Sequence, residues 1–151
     1  MERRAFLAGA AALLAAPLAA EGQQAAKPPR IAYIWGTPFP SGSRAWDAFV
    51  QGLRQLGWVE GQNLVIEQRF TGGRPERFPD LIAEVLRISV DLIVVADSQA
   101  AWAAKRATST TPIVVIVADA VGQGLVSSLA RPGRNVTGLS NQLEDTGGKR
   151  L

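Results

Sequence analysis

Short runs of apolar residues, rich in Val and Ile, alternate along the chain with segments of mixed polarity. Such runs are typical of buried β-strands because β-branched side chains pack well on a pleated surface. We predict five strands, at residues 30–35, 64–70, 90–96, 112–118 and 136–140. Most of these runs are apolar at consecutive positions, which indicates a parallel sheet that is covered on both faces.

The segments between the strands carry apolar residues at helical spacing. One helix is expected between Ser43 and Gly57, and a second around residues 78–86, where Pro79 is acceptable only in the first turn. A third is rich in Ala and follows Ser98, which we predict to be its N-cap. A fourth is expected through Leu125, Val126 and Leu129. Strands that alternate with helices predict an α/β fold with a doubly wound parallel sheet.

The first 22 residues have the layout of a secretory signal peptide. Two arginines precede an apolar stretch from Ala5 to about Leu18, and small residues near Gly22 suit a cleavage site. The string RRAFL at residues 3–7 resembles a twin-arginine export signal, and an ordinary secretory signal is the alternative. We therefore predict a signal peptide at 1–22, a linker at 23–29 and export of a soluble protein to the periplasm.

The composition removes several classes of protein from consideration. The chain has no Cys and no His, which excludes disulfides, thiolate catalysis and a Ser-His-Asp triad. We therefore do not expect an enzyme. The net charge is only +3, and the basic residues are scattered rather than grouped into a stripe, so a nucleic-acid partner is not expected.

Two patterns that resemble cofactor or metal sites have simpler interpretations. Gly122 and Gly124 begin a near match to a dinucleotide fingerprint, but Ser127 replaces its last glycine and the match starts several residues past the strand. Three acidic residues at helical spacing lie among arginines, which favours a salt-bridged helix face over a metal site. They are Glu76, Asp80 and Glu84. We therefore predict no cofactor and no metal.

Polar side chains follow the predicted strands, where an open parallel sheet binds its ligands. Hydroxyl groups together with helix N–H groups can hold a carboxylate, and an Asp can hold an ammonium group. The candidate ligand-binding residues are Thr37, Ser41, Ser98, Gln99 and Asp119. This set suits a small zwitterion such as an amino acid. The alternative is that Ser98 is only a helix cap and Asp119 only a turn residue.

Three stretches of sequence have features in common with one protein family. They are GLRQLGWVEGQNLVIEQRF at 52–70, LIVVADSQAAWAAKRATSTTPIVVIV at 92–117 and GLVSSLARPGRNVTGLS at 124–140. Together they resemble the ABC-transporter substrate-binding proteins related to the tryptophan- and tyrosine-binding group. Arg134 stands where that family usually has a second glycine, and Ala120 replaces a proline.

The resemblance implies a type I periplasmic binding protein, in which two Rossmann-like lobes close over a small ligand and offer it to an ABC permease. On this basis residues 30–140 would be lobe one, and 141–151 the start of the crossover to a lobe two that is missing. We predict a truncated solute-binding component of an ABC importer. The alternatives are a non-functional remnant of a truncated gene and a stand-alone flavodoxin-like cofactor-binding domain. A single lobe should bind weakly, because closure supplies the desolvation that strengthens polar contacts.

Overall fold

A computed structural model describes residues 27–37, 43–128 and 130–140 of the chain. The predicted signal peptide at 1–22, Ser41 and the expected crossover at 141–151 lie outside these ranges. Five strands form one sheet in the order β2-β1-β3-β4-β5, and every pair is parallel. The strands are β1 (Arg30–Trp35), β2 (Val65–Phe70), β3 (Leu92–Val95), β4 (Ile113–Val117) and β5 (Val136–Ser140). The predicted α/β fold with a parallel sheet is confirmed.

In the described ranges three α-helices cover the sheet from two sides, and a 3-10 turn at Pro75–Arg77 leads into the second: α1 (Arg44–Gln55), α2 (Phe78–Arg87) and α3 (Ser98–Ala107). The β1–β2 connection runs in one direction along the sheet, and the β2–β3 and β3–β4 connections run in the other. Because parallel crossovers are right-handed, this reversal puts α1 on one face of the sheet and α2 and α3 on the other. We call these the α1 face and the α2/α3 face. Within the described ranges, no helix is long and apolar enough to cross a membrane.

The α2/α3 face contains most of the buried core. Phe78, Ile82 and Val85 of α2 pack on the sheet together with four alanines of α3, whose small side chains let that helix lie close to the strands. The sheet contributes the alternate positions of its central strands, all less than 1% exposed: Ala32, Ile34, Ile93, Val95, Ile113 and Val115. Burial of this apolar surface is the main force that holds the layers together.

The α1 face is covered only in part by the described residues. Tyr33 packs against Trp46 and Phe49, with ring centroids 5.3 Å away in each case, yet α1 has no fully buried residue. Beyond α1, side chains of β4 and β5 on this face remain accessible, and Leu139 is 64% exposed. We call Val114, Ile116 and Leu139 the open strip.

The predicted helix through residues 125–129 is wrong for the described part of the β4–β5 connection, which consists of turns and bends. The Asp119 carboxylate accepts a hydrogen bond from Gly122 N at 2.7 Å, and Gly124 has a φ of +69°, so the backbone turns where a helix would have to continue. Leu125 and Val126 are nevertheless buried. The apolar spacing therefore predicted burial correctly and conformation incorrectly. Because a dinucleotide fingerprint requires a helix directly after its glycines, these turns do not provide that structural context.

An ion-pair network ties β2 to α2. Glu84 was expected to pair within its own helix, but its carboxylate accepts a hydrogen bond from Arg69 Nε at 2.8 Å, and Arg69 also contacts Glu67 at 3.2 Å. Partial burial lowers the pKa of Arg69, but the bonds to Glu84 and Glu67 outweigh this and raise it above its ordinary value. The network is partly exposed, so its contribution to stability is small.

Candidate ligand-binding site

The carboxyl ends of β1, β3 and β4 lie side by side, because Ile34 pairs with Val95 and Val95 pairs with Val115. Thr37 follows β1, Ser98 and Gln99 follow β3, and Asp119 follows β4. The structure therefore places the four described candidate residues along one edge of the sheet, which we call the carboxyl edge.

The side chains at this edge differ in exposure and in their existing bonds. Thr37 and Gln99 are exposed, and Ser98 and Asp119 are partly buried. Within the described part of the chain, the hydroxyl groups of Thr37 and Ser98 and the amide of Gln99 make no hydrogen bond. These groups can therefore bond to a ligand without breaking a contact of the fold.

Asp97, rather than Ser98, is the N-cap of α3. It has extended backbone angles, with φ −142° and ψ 136°, and its Oδ1 atom accepts hydrogen bonds from Gln99 N at 2.7 Å and Ala100 N at 3.0 Å. The predicted capping role of Ser98 is wrong, because Ser98 is the first residue inside the helix. Two N–H groups of α3 are thus already bonded to a carboxylate, and this helix end is a poor place for a ligand anion.

The N-terminus of α1 has a different electrostatic character. Ser43 is its N-cap and its carbonyl accepts the first helical bond, from Asp47 N at 2.9 Å, but its side chain makes no capping hydrogen bond. Arg44 adds a positive charge to the first turn and Asp47 a negative one, so the difference from α3 lies in the N–H groups that no side chain caps. The first turn of α1 therefore favours an anion more than the first turn of α3 does.

The Asp119 carboxylate has one oxygen engaged and one available. Oδ1 accepts the bond from Gly122 N, while Oδ2 bonds to no described residue. Ser140 fixes both sides of this position, since its hydroxyl donates to Ala118 O at 3.1 Å and accepts from Ala120 N at 3.2 Å. Sequence reasoning missed Ser140, because only the β4–β5 register brings it beside Asp119.

Thr71 anchors the start of the loop that carries Thr37. It is the one polar residue classed as buried among the described residues, at 1% exposure, and its hydroxyl donates to Gly36 O at 2.8 Å. The Thr71 backbone N–H also donates to Trp35 O at 3.1 Å. Sequence reasoning missed Thr71 as well. A threonine directly after a strand was the only local signal, and it does not identify the partner 35 residues away.

Aromatic side chains lie beside the carboxyl edge on the α1 face. Trp35 ends β1 and stacks on Tyr33 with a centroid distance of 6.1 Å and an interplanar angle of 13°. Trp46, in the first turn of α1, meets Tyr33 edge-on at 5.3 Å. Burial disfavours the phenolate and raises the pKa of Tyr33 above its ordinary value. Polar groups on the edge thus adjoin an aromatic surface.

The sequence matches the family model for "ABC transporter substrate binding protein" over residues 37–146, which is most of the chain. The chain belongs to the ABC transporter substrate-binding protein family. Proteins of this family are extracytoplasmic, bind small ligands and work together with an ABC permease. The family is non-enzymatic.

Individual relatives agree with this family. A tyrosine-binding protein from Clostridioides difficile (strain R20291) is 32% identical over 105 residues, which cover 69% of this chain and 30% of that protein. Among solved structures, a conserved domain protein from Vibrio cholerae O1 biovar El Tor is 32% identical with a TM-score of 0.69, covering 76% of this chain and 39% of that one. An ABC domain in complex with L-Trp from Streptococcus pneumoniae is 25% identical with a TM-score of 0.67, over the same shares.

This chain therefore spans between 30% and 39% of the length of these substrate-binding relatives. The family match begins at Thr37, directly after β1, and continues past β5, so it includes β2 to β5 and the candidate residues of the carboxyl edge.

Proposed function

We propose that this protein is the extracytoplasmic solute-binding component of an ABC importer and that its carboxyl edge binds a small polar ligand, an amino acid. The observation that supports this most is the arrangement of charge along the edge. An available carboxylate oxygen on Asp119 and an α1 N-terminus without a side-chain cap flank hydroxyl and amide groups that have no partner in the described chain.

The two charged groups of an amino acid have different preferred places on this edge. The ammonium group suits Asp119 Oδ2, because the other oxygen of that carboxylate is already bonded and fixes its direction. The carboxylate suits the first turn of α1 with Arg44, because the α3 N–H groups are occupied by Asp97. We propose that the ligand lies along the edge from Asp119 towards α1, with Ser98 and Thr37 between them.

The ligand side chain is proposed to be aromatic. Trp35 and Trp46 present a partly exposed aromatic surface beside the edge, and aromatic rings pair favourably by stacking or edge-to-face contact. The tyrosine-binding relative and the relative solved with L-Trp support the same class of ligand.

Residues 30–140 are proposed to form one lobe of a two-lobed binding protein, which agrees with the share of each relative that the chain spans. One such lobe by itself would hold the ligand from one side and leave much of it in contact with water. Its polar contacts are weak under these conditions, so the expected dissociation constant for L-Trp is on the order of 1 mM. The proposal includes export by the predicted twin-arginine signal and delivery to an ABC permease.

A titration with L-Trp tests the ligand and its orientation together. NMR shift changes of backbone amides should saturate with L-Trp, and the affected amides should lie at residues 37, 44–46, 98–100 and 119–122. Asp119→Asn keeps an oxygen that can accept the Gly122 bond but removes the charge, so it should weaken L-Trp binding about tenfold. Asp80→Asn, on the exposed surface of α2, is the matched control and should have no effect.

Indole-3-propionate, which lacks the ammonium group, separates charge recognition from aromatic binding. Asp119→Asn should not weaken its binding, because it has no cation to lose a partner. The proposal is wrong if neither L-Trp nor L-Tyr produces saturable changes at the carboxyl edge. The orientation alone is wrong if L-Trp binds there and Asp119→Asn does not weaken it.

A further inference from the structure

A second concavity lies at the opposite end of the strands from the proposed ligand site. It has a volume of about 410 Å³ and is bounded by the last turn of α3, the β4–β5 connection and the turn that leads into β5. Thr108 and Ser109 precede β4, and Asn135 precedes β5, so this cavity opens at the amino ends of these strands. None of the candidate residues of the carboxyl edge lines it.

The lining of this cavity is positively charged. Lys105 and Arg134 line it, and no acidic side chain is among its described lining residues. Ser109 and Ser127 also line it, and in the described part of the chain their hydroxyl groups make no hydrogen bond. Two cations and two available hydroxyl donors without a carboxylate favour an anionic ligand.

Lys105 is held in a fixed position at the cavity wall. Its ammonium donates to Gly124 O at 2.7 Å and to Leu125 O at 3.1 Å, and it lies 5.0 Å from the ring centroid of Trp102. These partners are neutral, and no salt bridge of the described residues includes Lys105. The positive charge is therefore positioned but not neutralised.

Arg134 is in a backbone conformation that its side chain disfavours. Its φ is +52°, directly after Gly133 at +72°, and a non-glycine residue is strained there because its Cβ approaches the backbone. Glycine would adopt the same angles without strain. Arg134 forms no salt bridge and no side-chain hydrogen bond with a described residue, so no polar contact of the described fold explains why a strained arginine lines the cavity. Strain of this kind is found preferentially at functional sites.

We propose that this cavity is a second binding site, specific for a small oxyanion of the phosphate type. Lys105 would supply a fixed charge, the Arg134 guanidinium would donate two parallel hydrogen bonds, and the hydroxyl groups of Ser109 and Ser127 would donate one each. The site is independent of the amino-acid site, because it lies at the other end of the strands and has no residue in common with it.

Inorganic phosphate is the probe. The unfolding temperature of the full chain is measured as phosphate is added, and chloride at matched ionic strength is the reference. Phosphate also stabilises proteins by exclusion from their surface, an effect that grows steadily with concentration. Binding to a site instead approaches saturation in the millimolar range. It should raise the unfolding temperature by about 5 °C at ten times the dissociation constant.

Arg134→Gln should raise about tenfold the phosphate concentration that gives half of the maximal rise in unfolding temperature. Arg131→Gln is the matched control, because it removes the same charge from the same turn at a residue that does not line the cavity. A steady rise without saturation, or equal responses of the two variants, would overturn the proposal.

Arg134→Gly separates binding from folding. Relief of the strained backbone should raise the unfolding temperature in chloride, while the saturable response to phosphate is lost. If Arg134→Gly keeps that response, Arg134 does not bind the anion and the proposed site is wrong. This readout also applies if Arg134→Gln fails to fold. Because phosphate is tested without any amino acid, its outcome does not depend on the carboxyl-edge proposal.

Discussion

Single polar side chains hold the loops of the carboxyl edge in place. Asp97 bonds two backbone N–H groups at the start of α3, Thr71 bonds the carbonyl of Gly36, and Ser140 bonds both sides of Asp119. Each of these side chains satisfies backbone groups that a strand end would otherwise leave unpaired. The described parts of the edge are therefore positioned by bonds of the fold itself, an arrangement that lowers the entropy cost of the proposed binding.

The capping role of Asp97 can be tested against its neighbour. Asp97→Ala removes both bonds to the first turn of α3 and should lower the free energy of unfolding by about 1 kcal/mol. Ser98→Ala should change it by less than about 0.5 kcal/mol, because its hydroxyl has no partner in the described chain. Urea denaturation measures both values. A larger loss for Ser98→Ala would assign the cap to the serine.

Tyr33 should make the stability of the protein sensitive to alkaline pH. Burial disfavours the phenolate and raises the pKa of Tyr33 above 10.0, the value expected for the unfolded chain. Below pH 10 the phenol is neutral in both the folded and the unfolded chain, so its full contribution to the free energy of unfolding is present. As the pH rises from there through the raised pKa, the unfolded chain ionises first and stability is lost.

Tyr33 is the only tyrosine of the chain, so tyrosinate absorbance reports on it alone. The native protein should titrate above the pH at which the urea-unfolded chain does. Tyr33→Phe should flatten the dependence of stability on pH above 10. Identical titration of the native and unfolded chains would contradict the expected shift.

At the scale of elements, β5 approaches β4 closely at Gly138. This residue pairs with Val115 and has a φ of +153°, and a Cβ atom there would collide with the Val115 carbonyl. Gly52 provides a contrast inside α1, since a Cβ there would meet nothing within 4 Å. The same residue type is thus required in one element and merely tolerated in the other.

Substitution by alanine should have opposite effects at these two glycines. Gly138→Ala should lower the free energy of unfolding by about 3 kcal/mol, because β5 must move away from β4. Gly52→Ala should raise it by about 0.5–1 kcal/mol, because alanine favours the helix and loses less entropy on folding. Chemical denaturation measures both. A stable Gly138→Ala protein would show that the β4–β5 pairing is looser than described.

At the scale of the whole molecule, the two faces of the sheet are unequally covered. The α2/α3 face packs against two helices and the apolar side chains of the β4–β5 connection, whereas among the described residues only α1 covers the other face. The open strip of Val114, Ile116 and Leu139 is therefore accessible, with Leu139 the most exposed of the three. Contiguous apolar surface of this kind binds other apolar groups.

The open strip should bind an apolar dye. Leu139→Ser should reduce the fluorescence of bound 1-anilinonaphthalene-8-sulfonate and change the free energy of unfolding by less than about 0.5 kcal/mol, because the side chain is largely exposed. Leu56→Ser is the control, since Leu56 is 77% exposed in the turn after α1. An equal loss of fluorescence in both variants would show that the dye does not prefer the strip.

Periodicity predicted most of the fold. The expected strands at residues 30–35 and 136–140 coincide with β1 and β5, and three of the four expected helices are present. The prediction of the fourth helix was wrong because apolar spacing indicates which residues are buried, not their backbone conformation. Leu125 and Val126 are buried, but they lie in turns rather than in a helix. The positions of Thr37, Ser98, Gln99 and Asp119 on one edge were predictable from the rule that parallel strands end together.

The order of apolar and polar residues by itself determined the parallel sheet, the sequence of its strands and helices, and the edge at which candidate polar groups collect. These properties depend on neighbours within a few residues along the chain. Only the tertiary structure decided which polar groups are already bonded, where the cavity beside Lys105 lies and which face the described residues leave open. The bond from Thr71 to Gly36 spans 35 residues and that from Ser140 to Ala118 spans 22. Contacts over such separations form only when the strands take their register, so no local pattern could have shown them.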